Sequence, residues 1–488
     1  MRNRYIIHFL IIIIPILFGQ NLFSQEIAPS ELARKKVVER MDKKGLRFQT
    51  KAVIEKSKKM LDVPESIKHL NDFTVATTPP TVEFTLVPLE NRFQAAVPKG
   101  YHHGVWSNWS QGNYYAPTNK FYAAVGNHGF YNPLLHLVEY DANTKTIKTL
   151  PEINNILGRA DSKFGDGKIH GWLDFYNGAN LFFCTYWCKY PEPSEEEFAS
   201  GYEGGSLMSY NVITGEFNNF GVPYPRSSWP YHRMDTRRGL MFAVGMFGEF
   251  LCYDINKHKT RFAGYLPEGM RWFWRTMLID EETGFVYSSN NLESDSCGHF
   301  IKYEPVKNRF TKLKSCVPPN IITGKRGQMR AHTKTKTKEG WFIGAVLGNP
   351  VGSGGELYKF YPDKDIVEDL GLCWSGEHRY IASLAMSPDE KYVYYIPAAH
   401  GKSYLEGTPV VQYNTETGTK KVISFLFPYF YEKYGYIPSG TYSVKLDSKG
   451  ESLFVLFNGA FADYNPRSGD VFGDPSVMVI HIPESERE

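Results

Sequence analysis

Two groups of residues in this chain have types and spacings that could do chemistry. The first is Cys297 and His299 in SDSCGHF, followed by Cys316 in LKSCVPP. With His232 of WPYHRMD as a fourth ligand, they would make a closed tetrahedral zinc set, structural because no position stays open. Reduced core thiols are the plain alternative. The second group is a series of imidazoles and guanidiniums: His102 and His103 (GYHHGVW), His128 (AVGNHGF), His170 (KIHGWLD), His332 (MRAHTKT), His378 (EHRYIA), His400 (AAHGKSY), Arg226 (YPRSSWP) and Arg271 (GMRWFWR). Donors and cations gathered in one place suit a polyanion. Trp106, Trp109, Trp172, Trp229, Trp272 and Trp274, in or near these segments, suit the apolar faces of sugar rings, although core packing is the ordinary use of any one of them. No G-x-S-x-G elbow, P-loop or HExxH is present. A carboxylate pair for glycoside hydrolysis would be spatial and cannot be read from spacing.

Whether these residues meet depends on the elements that carry them. One pattern recurs: two apolar positions, Tyr (once Phe-Tyr), an acidic or amide residue, then a polar turn. It appears as LVEYDANTK, LMSYNVITG, FLCYDINKH, FIKYEPVKN, LYKFYPDKD and VVQYNTETG, and SVMVIHIP ends the series without its turn. Upstream of these lies a strand, an Asp-rich turn and an aromatic strand, as in HRMDTRRGLMFAVG and VKLDSKGESLFVLF. Each unit reads as four antiparallel strands, A to D. Seven such units at roughly 40–70-residue spacing predict an all-β, seven-bladed β-propeller. The last unit lacks its outer strand, and VEFTLVP at 82–88 is expected to supply it and close the ring.

In a propeller strand A is innermost, with D–A and B–C loops on one face and A–B and C–D turns on the other. His102 and His103 then begin strand A of the first unit and His170 that of the second, while His232, His332 and His378 lie on later A strands. His128 and His400 lie on B–C loops, Arg226 and Arg271 on D–A loops. Imidazoles and guanidiniums thus concentrate at one end of the central channel. Cys297 and His299 fall on the fourth B–C loop and Cys316 on the next D–A loop.

The 488 residues are 42% hydrophobic, 15% aromatic and carry a net charge of +3, too mild to argue for nucleic acid. MRNRYIIHFLIIIIPILFGQNLFSQ has a basic start and a short apolar run, a secretory signal over 1–24. The mature chain is expected to be secreted or periplasmic, not membrane-bound, and a monomer. Residues 25–79, Lys-rich with a Ser30 start signal, are expected to be helical and packed on the propeller, which occupies 80–488. Six cysteines are few for this length, so no disulfide scaffold is implied; Cys184 and Cys188 are a local disulfide or nothing.

The combination of H-G-x-W, N-H-G, K-I-H-G and the seven repeats resembles the secreted seven-bladed propeller polysaccharide lyases, chiefly the ulvan lyases, over about residues 80–483. The resemblance implies β-elimination next to a uronic acid in a sulfated algal polysaccharide, by histidines, a tyrosine and an arginine, with a buried zinc in some members and no organic cofactor. Carried onto this chain, Arg226 neutralises the uronate carboxylate, and His103 and His128 bind it and share proton transfer. Tyr202, on the long second B–C loop, is the acid/base, with Tyr190 and Tyr210 as alternatives; the insertion at 187–205 departs from the pattern there. His102, His170, Arg271, Trp274, His332 and His378 would bind substrate, and His232, Cys297, His299 and Cys316 would hold structural zinc. Two rivals stand beside this reading: a pectic oligogalacturonate lyase with a histidine-bound channel metal, and a carbohydrate-binding propeller without catalysis.

Overall fold

The recurring Tyr-Asp and Tyr-Asn pairs are the places where strand C turns into strand D. Asp141 Oδ1 accepts the backbone N–H groups of Asn143 and Thr144 at 2.9 and 3.1 Å, and Asn414 Oδ1 accepts those of Glu416 and Thr417 at 2.9 and 3.0 Å. A short carboxylate or amide at that position closes the turn on its own backbone, which is why it recurs. The A–B turns use the same device, with Asp235 Oδ1 accepting from Arg237 and Arg238 at 3.0 and 3.1 Å.

In the computed structural model, which describes residues 50–89, 105–128, 133–159, 164–189, 192–347, 354–461 and 471–488, these turns join strands into seven antiparallel blades, each built on four strands. The third blade is typical: Tyr231–Asp235, Leu240–Val244, Glu249–Asp254 and Lys259–Tyr265, innermost to outermost. Alternate residues of each strand point to opposite faces of the blade, so the apolar ones fill the seams. Between the fourth and fifth blades Phe300 stacks on Phe360 at 4.1 Å, with Leu278, Met329 and Phe342 buried around them.

Ring closure follows the expectation from sequence. Thr81–Leu86 pairs antiparallel with Ser476–His481 and becomes the outer strand of the seventh blade. Glu83 of that strand accepts hydrogen bonds from the Tyr140 hydroxyl and the Lys145 ammonium of the first blade, with His481 Nε2 at 2.9 Å.

The segment before it corrects a prediction. Within 25–79 the described residues, 50–79, form no α-helix: Val53–Lys56 adds a fifth strand to the seventh blade, and Phe73–Val75 runs parallel to the outer strand of the sixth. Lys58–Leu61 and Glu65–Ile67 are single 3-10 turns that bury Met60 and Ile67. Helix-like spacing is real here but lasts only one turn at a time, because Pro64 interrupts it and two open blade edges offer backbone partners. The signal segment, Ser30, His102, His103 and Tyr190 lie outside the described residues. Among the described residues no helix is long and apolar enough to cross a membrane.

Candidate functional site at the channel mouth

The inner strands run from the D–A face inward, so their first residues ring one mouth of the channel. Arg330, on Gln328–His332 of the fifth blade, is buried there. Its Nε–H donates to the Tyr380 hydroxyl at 2.5 Å and its Nη1 to the Arg275 carbonyl at 3.3 Å. Its guanidinium carbon lies 5.4 Å from the Tyr380 ring and 5.3 Å from that of Tyr442. Burial alone pushes the Tyr380 phenol up, yet the charges of Arg330 and Arg275 outweigh it and hold that phenol below its ordinary value. Tyr442 goes the other way, raised by burial and by Tyr380 beside it. Of these two neighbouring phenols, Tyr380 ionises first.

His170 faces them from the second blade, in the break between Asp166–Lys168 and Asp174–Tyr176 rather than on a strand. Its ring stacks on Trp109 at 5.7 Å and meets Tyr186 and Tyr442 edge-on at 5.9 and 5.8 Å. Burial, then Arg330, Arg275 and Lys168, push its pKa well down, so it is a neutral imidazole whose Nδ1 has no protein partner. The Lys168 ammonium lies 4.6 Å from the Tyr186 ring, its pKa lowered to about 8 by burial. Glu192, which accepts the Tyr186 hydroxyl at 2.5 Å, is raised to about 7, again by burial. Trp274 lies under the Arg275 guanidinium at 4.1 Å, and His400 packs on Trp109 at 5.4 Å.

The mouth therefore holds three cations, a phenol held below its ordinary pKa by two guanidiniums, a neutral imidazole and aromatic walls. Such a set can hold a carboxylate, take a proton from an adjacent carbon and stack a sugar ring.

The structure brings His170 and Trp274 into this cluster and places other expected residues elsewhere. The Tyr202 hydroxyl donates to Asp166 at 2.7 Å, its ring is buried 4.5 Å from Trp187, and burial with Asp166 raises its pKa well up. It is a packing residue, held because Asp166 needs donors. Tyr210 is buried on Leu207–Asn211, a third strand, with its pKa raised to about 12 by burial. Arg226 is exposed, pairs with Glu195 of the helix Glu195–Ala199, and lies 5.0 Å from the Phe198 ring, so the 187–205 insertion takes up its charge. Arg271 is exposed beside Gly248, and half-buried His378 precedes the short inner strand Ala385–Met386. His332 lies deeper in the channel, stacked on Trp172 at 5.7 Å, with its pKa lowered to about 3 by burial and Arg233. His128 ends Lys120–His128, paired with Val105, on the face of this mouth.

The zinc expectation divides. Cys297, His299 and Cys316 do come together, with ligand atoms within 4.8 Å of one another. His232 is not among them; it is buried on the third inner strand against Gly171, its pKa lowered to about 3 by burial. Asp295 instead holds His299, at 3.0 Å from Nδ1. Cys297 and Cys316 are joined as a disulfide. A disulfide has no thiolate to give, so this donor set fits zinc only when reduced. Cys184 and Cys188 are both free and buried. Among the described residues the channel histidines form no such metal-binding group.

Arg330, Arg275, Lys168, Tyr380 and Tyr442 were not singled out by sequence. A signal existed: Arg330 lies on the same inner strand as His332, two residues before it, and strand-A bookkeeping extended to Arg and Tyr finds it.

Compared with known proteins, the chain matches no family model and no curated protein. Among solved structures it is similar to the structure of U3-55K, with a TM-score of 0.47 and 10% identity, over 77% of this chain and 95% of that one.

Proposed function

We propose that this seven-bladed propeller is an exported polysaccharide lyase that cleaves beside a uronate by β-elimination. The observation that carries it is the Arg330–Tyr380 pair: a buried phenol held below its ordinary pKa by a guanidinium, in a cationic, aromatic channel mouth. The C5 proton of a uronate is hard to remove while the carboxylate is anionic, so Arg275, Arg330 and Lys168 bind that group and stabilise the developing enolate-like charge. Tyr380, as phenolate, takes the C5 proton; the electron pair forms the C4–C5 double bond; the bond to O4 breaks. Tyr442, which stays protonated, returns a proton to the leaving oxygen. His170 and Trp109 position the ring. The substrate is an anionic polysaccharide, with ulvan the first to test. Zinc belongs to the reduced Cys297–His299–Cys316 group and takes no part in the reaction.

Incubation with ulvan, pectin and heparin-type chains tests this through ultraviolet absorbance of the unsaturated uronate. New absorbance with ulvan, lost in Tyr380→Phe, is expected. Binding of these polymers without any double bond would make the chain a carbohydrate-binding propeller instead.

A further inference from the structure

The opposite half of the channel carries a second charged cluster that the proposed reaction does not use. Contacts order the channel residues in layers: His170, Arg330 and Tyr380 at the mouth, then Trp172, Tyr231 and His332, then Asp174, Arg233 and Lys334. In the middle layer the Trp172 indole N–H donates to the Tyr231 hydroxyl at 2.7 Å, and His332 stacks on Trp172. Below it sit Arg233, Lys334 and Lys445 around the Asp174 carboxylate.

Arg233 is fully buried. Its Nε donates to Asp174 Oδ2 at 3.3 Å and its guanidinium lies 4.1 Å from the Trp172 ring, which fixes its plane and leaves Nη1 and Nη2 both without a protein partner. Lys334 Nζ lies 3.2 Å from Asp174 Oδ1. Half-buried Lys445, on Tyr436–Leu446 of the seventh blade, has its pKa lowered to about 7 by burial, then by Lys334 and Arg233, against the opposing pull of Asp174. Three basic groups thus share one anion. Water can satisfy stray N–H groups but cannot neutralise the excess charge, which is costly in a confined channel.

We infer that Arg233, Lys334 and Lys445 form a binding site for a small inorganic oxyanion of the sulfate or phosphate class, entered from the A–B face. The Lys334 and Lys445 ammonium groups, both partly exposed, are the donors that reach a tetrahedral anion, and the buried Arg233 guanidinium adds its unneutralised charge behind them.

Calorimetric titration of the full chain with sodium sulfate at pH 6.5, ionic strength held with chloride, tests it. Saturable binding is expected, weakened about ten-fold or more in Lys445→Met and in Lys334→Met, since each removes a charge-assisted contact. Lys421→Met on the outer edge of the sixth blade, a control for net charge, is expected to bind as the parent does. Arg233→Met risks the fold, so the two lysine variants carry the test. Absence of saturable sulfate binding, or equal binding by both lysine variants and the parent, overturns the site.

Discussion

Arg330 Nε lies 2.5 Å from the hydroxyl oxygen of Tyr380, although the two residues are fifty positions apart and belong to adjacent blades. The guanidinium offsets the burial that would otherwise keep this phenol protonated. Removing the hydroxyl is therefore expected to remove the base, at the cost of one buried hydrogen bond to Arg330.

Tyr380→Phe should lower kcat on a uronate polymer by about 10²–10⁴, and because it leaves the buried Arg330 Nε short of one hydrogen bond it should also cost about 1.5–3 kcal/mol in denaturant unfolding. Arg330→Gln should raise the Tyr380 pKa. Because the phenolate is the active form, activity climbs as pH rises through that pKa, so the acid limb of the pH profile should move to higher pH. An unmoved limb would remove Tyr380 from the mechanism.

Lys168 supplies the opposite limb. Its pKa is lowered to about 8, chiefly by burial, so its charge is present below that pH and lost above it. Activity is expected to fall as pH rises through this range. In Lys168→Arg the alkaline fall should move outward, because a guanidinium does not titrate there.

Tyr202 and Arg226 distinguish the channel mouth from the expectation drawn by resemblance. Tyr202→Phe leaves Asp166 short of one hydrogen bond and should cost about 1.5–3 kcal/mol in denaturant unfolding, with kcat close to the parent's. Arg226→Ala, which breaks an exposed pair with Glu195, should leave both rate and stability nearly unchanged. A large loss of rate in either variant would return that residue to the site.

The Cys297–Cys316 bond should leave four titratable thiols in denaturant: Cys184, Cys188, Cys252 and Cys373. Removing a cross-link between residues 19 apart should destabilise the chain by about 3 kcal/mol, seen on replacing both cysteines by Ser. Zinc uptake, measured by elemental analysis after dialysis, is expected only once the bond is reduced, and should be lost in His299→Ala.

Ring closure rests partly on Glu83, whose buried carboxylate joins the seventh blade to Tyr140 and Lys145 of the first. Glu83→Ala leaves Lys145 without that partner and should cost roughly 3 kcal/mol or more, measured by urea unfolding. An unchanged midpoint would show that backbone pairing of Thr81–Leu86 closes the ring by itself.

The architecture was legible in the chain because its causes are local. A Tyr-Asp pair closes its turn through Asp141 or Asn414 on backbone two or three residues away, and strand alternation has a period of two. Repeating those devices marks seven blades, and the missing outer strand points back to residues 82–88. Residues 50–79 depart from the helical expectation for the same reason: spacing around Met60 and Ile67 matches a helix locally, while the open edges of blades six and seven that capture Val53–Lys56 and Phe73–Val75 as strands are not local at all.

The site belongs to the ring. Sequence alone placed His170 and Trp274 at one mouth, because strand order decides which face a loop occupies. Only the folded ring set Arg330 against Tyr380, left Tyr202 bound to Asp166, parted His232 from Cys297, and gathered Arg233, Lys334 and Lys445 around Asp174. Distances across a closed channel depend on how seven blades pack side by side, and desolvation there sets which groups are charged; neither quantity is written in the spacing of residues along one strand.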